Sequence, residues 1–222
     1  MNEQFNRPFA MSTYKGIIFD LDGTLADTLP LCISAFRQSI EPLALKSITD
    51  EEIIATFGPS EEGTIMTLIP QHYERGIINY LQFYEDLHDM CPEPFDGIRH
   101  LLESLRNKGI RLAMVTGKGP HSTEISLKKF GLEDVFEVIE TGSPAGPRKT
   151  GGIRNVLTSW PGIHPDEVLY VGDAPSDIKA SREAGIAVVA AAWASTTDAE
   201  ALKALEPDAI FYSVNDFADW LK

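Results

Sequence analysis

Two carboxylates, Asp20 and Asp22, directly follow the apolar run Gly16-Ile17-Ile18-Phe19 and precede Gly23-Thr24. In an extended chain, residues two apart point to the same side, so this spacing predicts both acids on one face. Gly23 permits a sharp turn just beyond them. Close carboxylates repel, and their titrations split unless a cation lies between them. Two more acids, Asp173 and Asp177, follow a second apolar run, Val168-Leu169-Tyr170-Val171. A set of oxygen ligands suits Mg2+, which keeps several waters and shares phosphate oxygens. A carboxylate can attack phosphorus to give an aspartyl phosphate. A second one can protonate the leaving group and later deprotonate the attacking water. Thr116 and the backbone N–H of Gly117, after the run Leu112 to Val115, can hold phosphate oxygens. Lys149 can place positive charge against the transition state.

Each of these residues also has a plainer use. Asp20 and Asp22 could form a solvated turn, although an unbroken apolar run leading straight into them argues otherwise. Thr116 could be a helix N-cap or turn residue. Lys149 could be a surface lysine, with Arg148 or Lys118 as the phosphate partner. Asp177 could stabilise a helix N-terminus by its charge, a role compatible with supporting a metal. Phe57 and Trp193 read as packing residues. The five histidines show no HxxxH or HExxH spacing, which excludes the usual zinc patterns. The glycines from Gly142 onward do not have the spacing of a nucleotide-binding P-loop.

The elements that must position these groups alternate. Apolar runs at 16–19, 112–115, 136–139, 168–171, 186–189 and, weakly, 209–211 predict buried strands. Helical patterns cover 98–107, 121–130, 176–184, 198–205 and 216–221, several of them stopped by glycine. This alternation implies a parallel sheet with helices on both faces, with ligands bound beyond the carboxyl ends of the strands. The interval 28–94 is different: it is helical in pattern at 29–40, 50–57, 60–68 and 72–90, and it is too long for a loop. We expect a Rossmann-like α/β core, residues 13–27 and 95–222, with an inserted α-helical cap, residues 28–94, and a polar arm over residues 1–12.

The chain has 222 residues and a formal net charge of −14, which opposes binding to nucleic acid or an anionic membrane surface. A small anionic substrate remains compatible, because a local cation can dominate a pocket. Two cysteines without a CxxC pair suggest reduced thiols. No apolar stretch is long enough to span a bilayer, and no signal-peptide pattern is present. These features together suggest a cytoplasmic protein.

The motifs Asp20-Leu21-Asp22-Gly23-Thr24, Thr116, Lys149 and Gly172-Asp173-Ala174-Pro175-Ser176-Asp177 resemble the four ordered motifs of the haloacid dehalogenase superfamily of phosphatases. That resemblance implies Asp20 as nucleophile and Asp22 as acid and base. It also implies Mg2+ held by Asp20, Asp173 and the backbone carbonyl of Asp22, with Asp177 supporting. Thr116, Gly117 and Lys149 would hold the phosphate. The helical insert resembles the cap of the phosphoglycolate phosphatase-like branch. The segment Phe57-Gly58-Pro59-Ser60-Glu61-Glu62 resembles its glycine-containing cap loop, and Trp193 lies where that branch carries a Trp-containing loop. Lys149-Thr150 departs from the branch's usual Lys-Pro, which predicts a less rigid loop. The expected function is hydrolysis of a small phosphomonoester, with phosphoglycolate-like substrates first, by a monomer or homodimer. A sugar-phosphate mutase of the same superfamily and a non-catalytic phosphate-binding regulator are the alternatives.

Overall fold

The computed structural model describes residues 14–222; the arm expected over residues 1–12 lies outside them. The centre of the sheet is β1 (Gly16–Phe19), paired on one side with β2 (Arg111–Val115) and on the other with β4 (Val168–Gly172). β3 (Val138–Glu140) lies outside β2, and β5 (Ala187–Ala191) and β6 (Ala209–Phe211) extend beyond β4. All pairings are parallel, and the strand order is β3-β2-β1-β4-β5-β6. Alternate side chains of β1 serve the two faces. Ile17 and Phe19 join Leu101, Leu105, Phe130 and Phe217, whereas Ile18 joins Ile153, Val156, Trp160 and Ile178. The first group draws on α5 (Ile98–Asn107), α6 (Pro120–Phe130) and α10 (Val214–Trp220). Most of the second comes from α7 (Lys149–Ser159) and α8 (Pro175–Ala184), and α9 (Ala199–Lys203) adds Leu202 to that face. Both faces are thus covered, which is why the central strands read as unbroken apolar runs.

Between β1 and β2 the chain forms α1 (Leu29–Ala44), α2 (Asp50–Ile54), α3 (Glu61–Leu68) and α4 (Tyr73–Asp86), with 3-10 turns at Pro70–His72 and His88–Met90. α2 starts with a reciprocal cap, in which the Glu52 N–H donates to Thr49 Oγ1 (3.2 Å) and the Thr49 N–H to Glu52 Oε2 (2.9 Å). α1 and α4 pack through Phe36 and Tyr80, whose ring centroids are 4.4 Å apart. The insert meets the sheet's helices at Tyr84 Oη and Ser126 Oγ, 2.8 Å apart.

Three local differences from the sequence expectation have physical causes. β3 starts at Val138 instead of Phe136 and is an edge strand in which Ile139 is exposed, so an apolar run is a poor guide to its ends. β5 runs Ala187–Ala191 instead of 186–189, because the Ile186 N–H is used by the Ser181 carbonyl at the end of α8 (3.0 Å). α7 was not evident, since Thr150-Gly151-Gly152 is a poor helix start. Packing decides it: a Cβ at Gly152 would lie 2.9 Å from Val115 Cγ1, so the helix approaches β2 through a glycine.

Candidate active site

In the order 3-2-1-4-5-6 the winding of the sheet reverses between β1 and β4, and the crevice at the carboxyl ends of those strands is where such sheets bind ligands. The register Phe19↔Val171 sets Asp20 and Asp173 at that crevice. The Asp20 N–H continues the ladder to the Val171 carbonyl (2.9 Å).

Asp20 is buried. Its Oδ1 accepts from the Leu21 N–H (2.8 Å) and its Oδ2 from Lys149 Nζ (2.5 Å). Lys149, the first residue of α7, bridges to Asp177 Oδ1 at the same distance. Asp177 is fully buried; its Oδ1 also accepts from Tyr170 Oη (3.0 Å) and its Oδ2 from the Ala174 N–H (2.9 Å) at the start of α8. Asp173 Oδ1 accepts from Thr24 Oγ1 (3.2 Å). Burial pushes the Asp20 carboxyl up to about 6; Lys149 opposes this, and Asp177 and Asp22 add to it. Burial, with Asp20 and Asp177 nearby, also drives Asp173 well above the ordinary carboxylate range. Burial alone would lower Lys149, but Asp177 and Asp20 outweigh it and hold the ammonium charged.

Asp22 has different neighbours. Its Oδ1 accepts from the Thr28 hydroxyl, and Lys118 Nζ lies 3.3 Å away. Although β1 ends at Phe19, Asp20 and Asp22 both line one cavity. The chain then turns through Gly23 at φ +75°, closing an Asp22–Ala26 bridge, and the two carboxylates are served by different cations. A Cβ at Gly23 would collide with the Asp173 carboxylate, so the same glycine allows the turn and the approach of the second acid.

Thr116 is buried at the end of β2, and its Oγ1 accepts from the Lys118 N–H (3.2 Å). Gly117 borders the same cavity as Asp20, Asp22, Lys149 and Asp173, of about 680 Å³. Arg148, a rival to Lys149 in the sequence, turns to Glu140 (2.7 Å). Lys118, the other rival, is buried between Asp22, Cys32 Sγ (3.2 Å) and the Tyr84 ring (4.2 Å to its centroid). The insert closes on the core at Glu61, whose Oε2 accepts from the Gly119 N–H (2.6 Å) while Oε1 accepts from the Ser122 hydroxyl. Ser60 N–H donates to the Ser143 carbonyl beside it (3.0 Å). Trp193 packs on Phe217 and donates Nε1–H to the Thr24 carbonyl (2.9 Å), which braces the turn after β1.

Sequence reasoning assigned no role to Thr28 or Tyr170, and it named Thr24 and Glu61 only as members of the first motif and of the cap loop. Tyr170 carried a usable signal, a polar ring in an otherwise aliphatic buried strand. Glu61 was marked by its place in the cap loop, but its partners Gly119 and Ser122 lie far along the chain and left no signal.

One carboxylate oxygen from each of Asp20, Asp173 and Asp177 falls within 4.8 Å of the others. The Asp22 carboxylate is not in that group, so only its backbone carbonyl remains for the role the resemblance implied. The three acids fit a small divalent cation. They are hard oxygen donors, and the Asp20 and Asp173 carboxyls are raised first by burial and then by the neighbouring acids, a cost that a bound cation would offset beside Lys149.

A doubly wound parallel sheet with a buried carboxylate cluster and a lysine at its switch point defines an α/β enzyme of phosphoryl transfer. The chain belongs to the haloacid dehalogenase-like hydrolase family, whose model matches residues 17–191. The pyrophosphatase PpaX of Bacillus pumilus is 32% identical over 207 residues, 92% of this chain and 95% of that one. A haloacid dehalogenase-like hydrolase from Streptococcus pneumoniae superposes with a TM-score of 0.76 at 25% identity, over 95% of this chain and all of that one. A predicted phosphoglycolate phosphatase from Haemophilus somnus gives a TM-score of 0.78 at 23% identity, over 96% of this chain and 100% of that one, a likeness of fold. The protein is a phosphatase of this family. Among the described residues, no helix is long and apolar enough to cross a membrane.

Proposed function

We propose that this enzyme hydrolyses a small phosphomonoester in the presence of Mg2+, through an aspartyl phosphate (an acyl phosphate) formed on Asp20. The observation that carries the reading is the surroundings of Asp20: a buried carboxylate bonded to Lys149 and flanked by Asp173, lining the cavity between core and insert. In the first half-reaction an Asp20 oxygen attacks phosphorus and the bond to the leaving oxygen breaks. Asp22 gives that oxygen its proton. In the second, Asp22 takes a proton from water, the water oxygen attacks phosphorus, and Asp20 is released as carboxylate with inorganic phosphate. Thr116 and the Gly117 N–H hold phosphate oxygens, and Lys149 balances the charge that builds on them. Asp20, Asp173, Asp177 and the Asp22 carbonyl would hold the Mg2+, whose charge offsets repulsion between carboxylate and phosphate.

The helical insert, residues 28–94, acts as the cap. It contributes Glu61 and Ser60 to the closure over the cavity, which keeps bulk water from the aspartyl phosphate. The buried free thiols Cys32 and Cys91 suit a reducing compartment. The resemblance puts phosphoglycolate-like esters first, and the name of the Bacillus pumilus relative adds pyrophosphate to the compounds worth testing.

The test is Mg2+-dependent phosphate release over a panel of phosphorylated metabolites, with and without EDTA, for the wild type and Asp20→Asn. Release that needs Mg2+ and vanishes in the variant is expected. Undiminished turnover by Asp20→Asn would sink the nucleophile assignment. Conversion of glucose 1-phosphate to the 6-phosphate without free phosphate would identify a mutase instead.

A further inference from the structure

The insert's side of the cavity has no cation to offer. Its wall is Leu29, Phe36, Phe57, Thr64 and Tyr80, and its one charged lining residue is the carboxylate Glu61. Phe36 bridges the aromatic side chains, with ring centroids 4.4 Å from Tyr80 and 5.9 Å from Phe57. Phe57 is 40% exposed, a large apolar ring left uncovered at the cavity wall. The insert's Arg37 is paired with Asp50 and is not part of that wall.

The charged groups nearest this wall are already engaged. Glu61 is bonded to the Gly119 N–H and the Ser122 hydroxyl. Lys118 reaches the cavity from the core, but its ammonium is shared between Asp22 and Cys32 and covered by the Tyr84 ring. Lys149 belongs to Asp20 and Asp177, and Arg148 to Glu140. Lys179, the remaining cation of the cavity, lines it from α8 of the core, so a carboxylate or second phosphate on the leaving group would enter this half with no cation from the insert and beside Glu61. Burying a charge without a partner is expensive. An uncharged ring or alkyl group would instead gain contact with the aromatic wall.

We propose that the substrate's leaving group is an uncharged alcohol with an apolar or aromatic part, recognised by Phe36, Phe57 and Tyr80. This rests on the phosphatase reading above, and it moves away from the phosphoglycolate-like leaving group that the sequence resemblance puts first. Phosphate would lie at the Asp20–Lys149 end, and the alcohol against the insert.

Benzyl phosphate and 2-phosphoglycolate test it, because both carry phosphate on a CH2–O group and differ in the charge and shape of the rest. With the full chain and Mg2+, kcat/KM for benzyl phosphate should exceed those for 2-phosphoglycolate and for pyrophosphate by at least about tenfold. Phe57→Ala should raise KM for benzyl phosphate about fivefold with little change in kcat, and should leave inhibition by inorganic phosphate as it was. Faster turnover of 2-phosphoglycolate or pyrophosphate would overturn the proposal, as would an equal effect of Phe57→Ala on all three compounds. Calorimetric binding of benzylphosphonate and phosphonoacetate separates the two readings, since it needs no bond breaking. Tighter binding of benzylphosphonate supports the apolar wall even if no ester is hydrolysed, an outcome that would overturn only the phosphatase reading. Tighter binding of phosphonoacetate overturns the wall while leaving the chemistry intact.

Discussion

Replacing Lys149 by glutamine tests the electrostatic logic of the site most directly. The ammonium lies 2.5 Å from both Asp20 and Asp177, in a position only 13% exposed. Removing one partner of a buried charge cluster costs about 3–5 kcal/mol, because the remaining charges lose their compensation. The cost must depend on pH in a definite direction. Asp20 titrates at about 6 in the folded protein, above its ordinary 3.8, so folding tightens its hold on a proton. The stability this group contributes is therefore complete below its unfolded value and lost as the pH rises through about 6, a change of about 3 kcal/mol. Without Lys149 the folded value climbs further, and the penalty at high pH deepens. In EDTA, urea unfolding of Lys149→Gln should show a loss of about 3–5 kcal/mol near pH 8 and roughly half that near pH 5, where Asp20 is mostly protonated. With Mg2+ present, kcat should fall about 100- to 1,000-fold. Equal losses at the two pH values would mean that Lys149 acts through packing, and the argument from charge would fail.

Three other outcomes follow from the same geometry. Asp20→Asn should keep the fold, because the amide is nearly isosteric, while phosphate release drops to background; circular dichroism and a phosphate assay check both. Mg2+ affinity, followed by thermal shift, should weaken about tenfold per pH unit below about 6, since a proton competes for the Asp20 carboxyl, raised to about 6; a flat profile would show that other groups hold the ion. Gly23→Ala should cost about 1–3 kcal/mol and weaken Mg2+ binding, because the residue has φ +75° and its Cβ would meet the Asp173 carboxylate; wild-type urea stability would mean that the turn can relax.

The central sheet was legible because β1, β2 and β4 are covered on both faces and leave continuous apolar runs. The acids were legible because the ends of these strands interrupt the runs abruptly. The order of strands was not, since no local pattern records that β1 lies between β2 and β4. α7 was hidden by the Gly151-Gly152 pair, of which Gly152 lets the helix approach β2, so a packing requirement weakened the propensity signal. The partners of the candidate catalytic groups were hidden for a related reason. Tyr170 meets Asp177 through strand and helix geometry, and Glu61 reaches Gly119 across the interface between insert and core. Such contacts depend on tertiary distance, which spacing along the chain does not encode. Asp20 and Asp22 both line the cavity, but a spacing of two does not record that the strand ends at Phe19 and that the turn beyond it gives the two acids different partners.

That early end gives the two acids separate surroundings. Asp20 stays with the core, buried between its own strand, Lys149 and the residues after β4. Asp22 is carried round the turn to Thr28, the residue that opens the insert, and to Lys118, which is buried against α1 and α4 of the insert. The side chain of Asp20 is 6% exposed and that of Asp22 29%. A nucleophile needs a fixed position and a charge held in place, and the core supplies both. An acid that must give a proton to a leaving group and then receive one from water needs access to the cavity, and a position tied to the element that covers it. A buried lysine is costly unless a carboxylate stays beside it, so Lys118 holds Asp22 at the junction of core and insert. On the proposed roles, the acid is placed by contacts that also join insert to core, whereas the nucleophile and Lys149 are placed by the elements around the sheet.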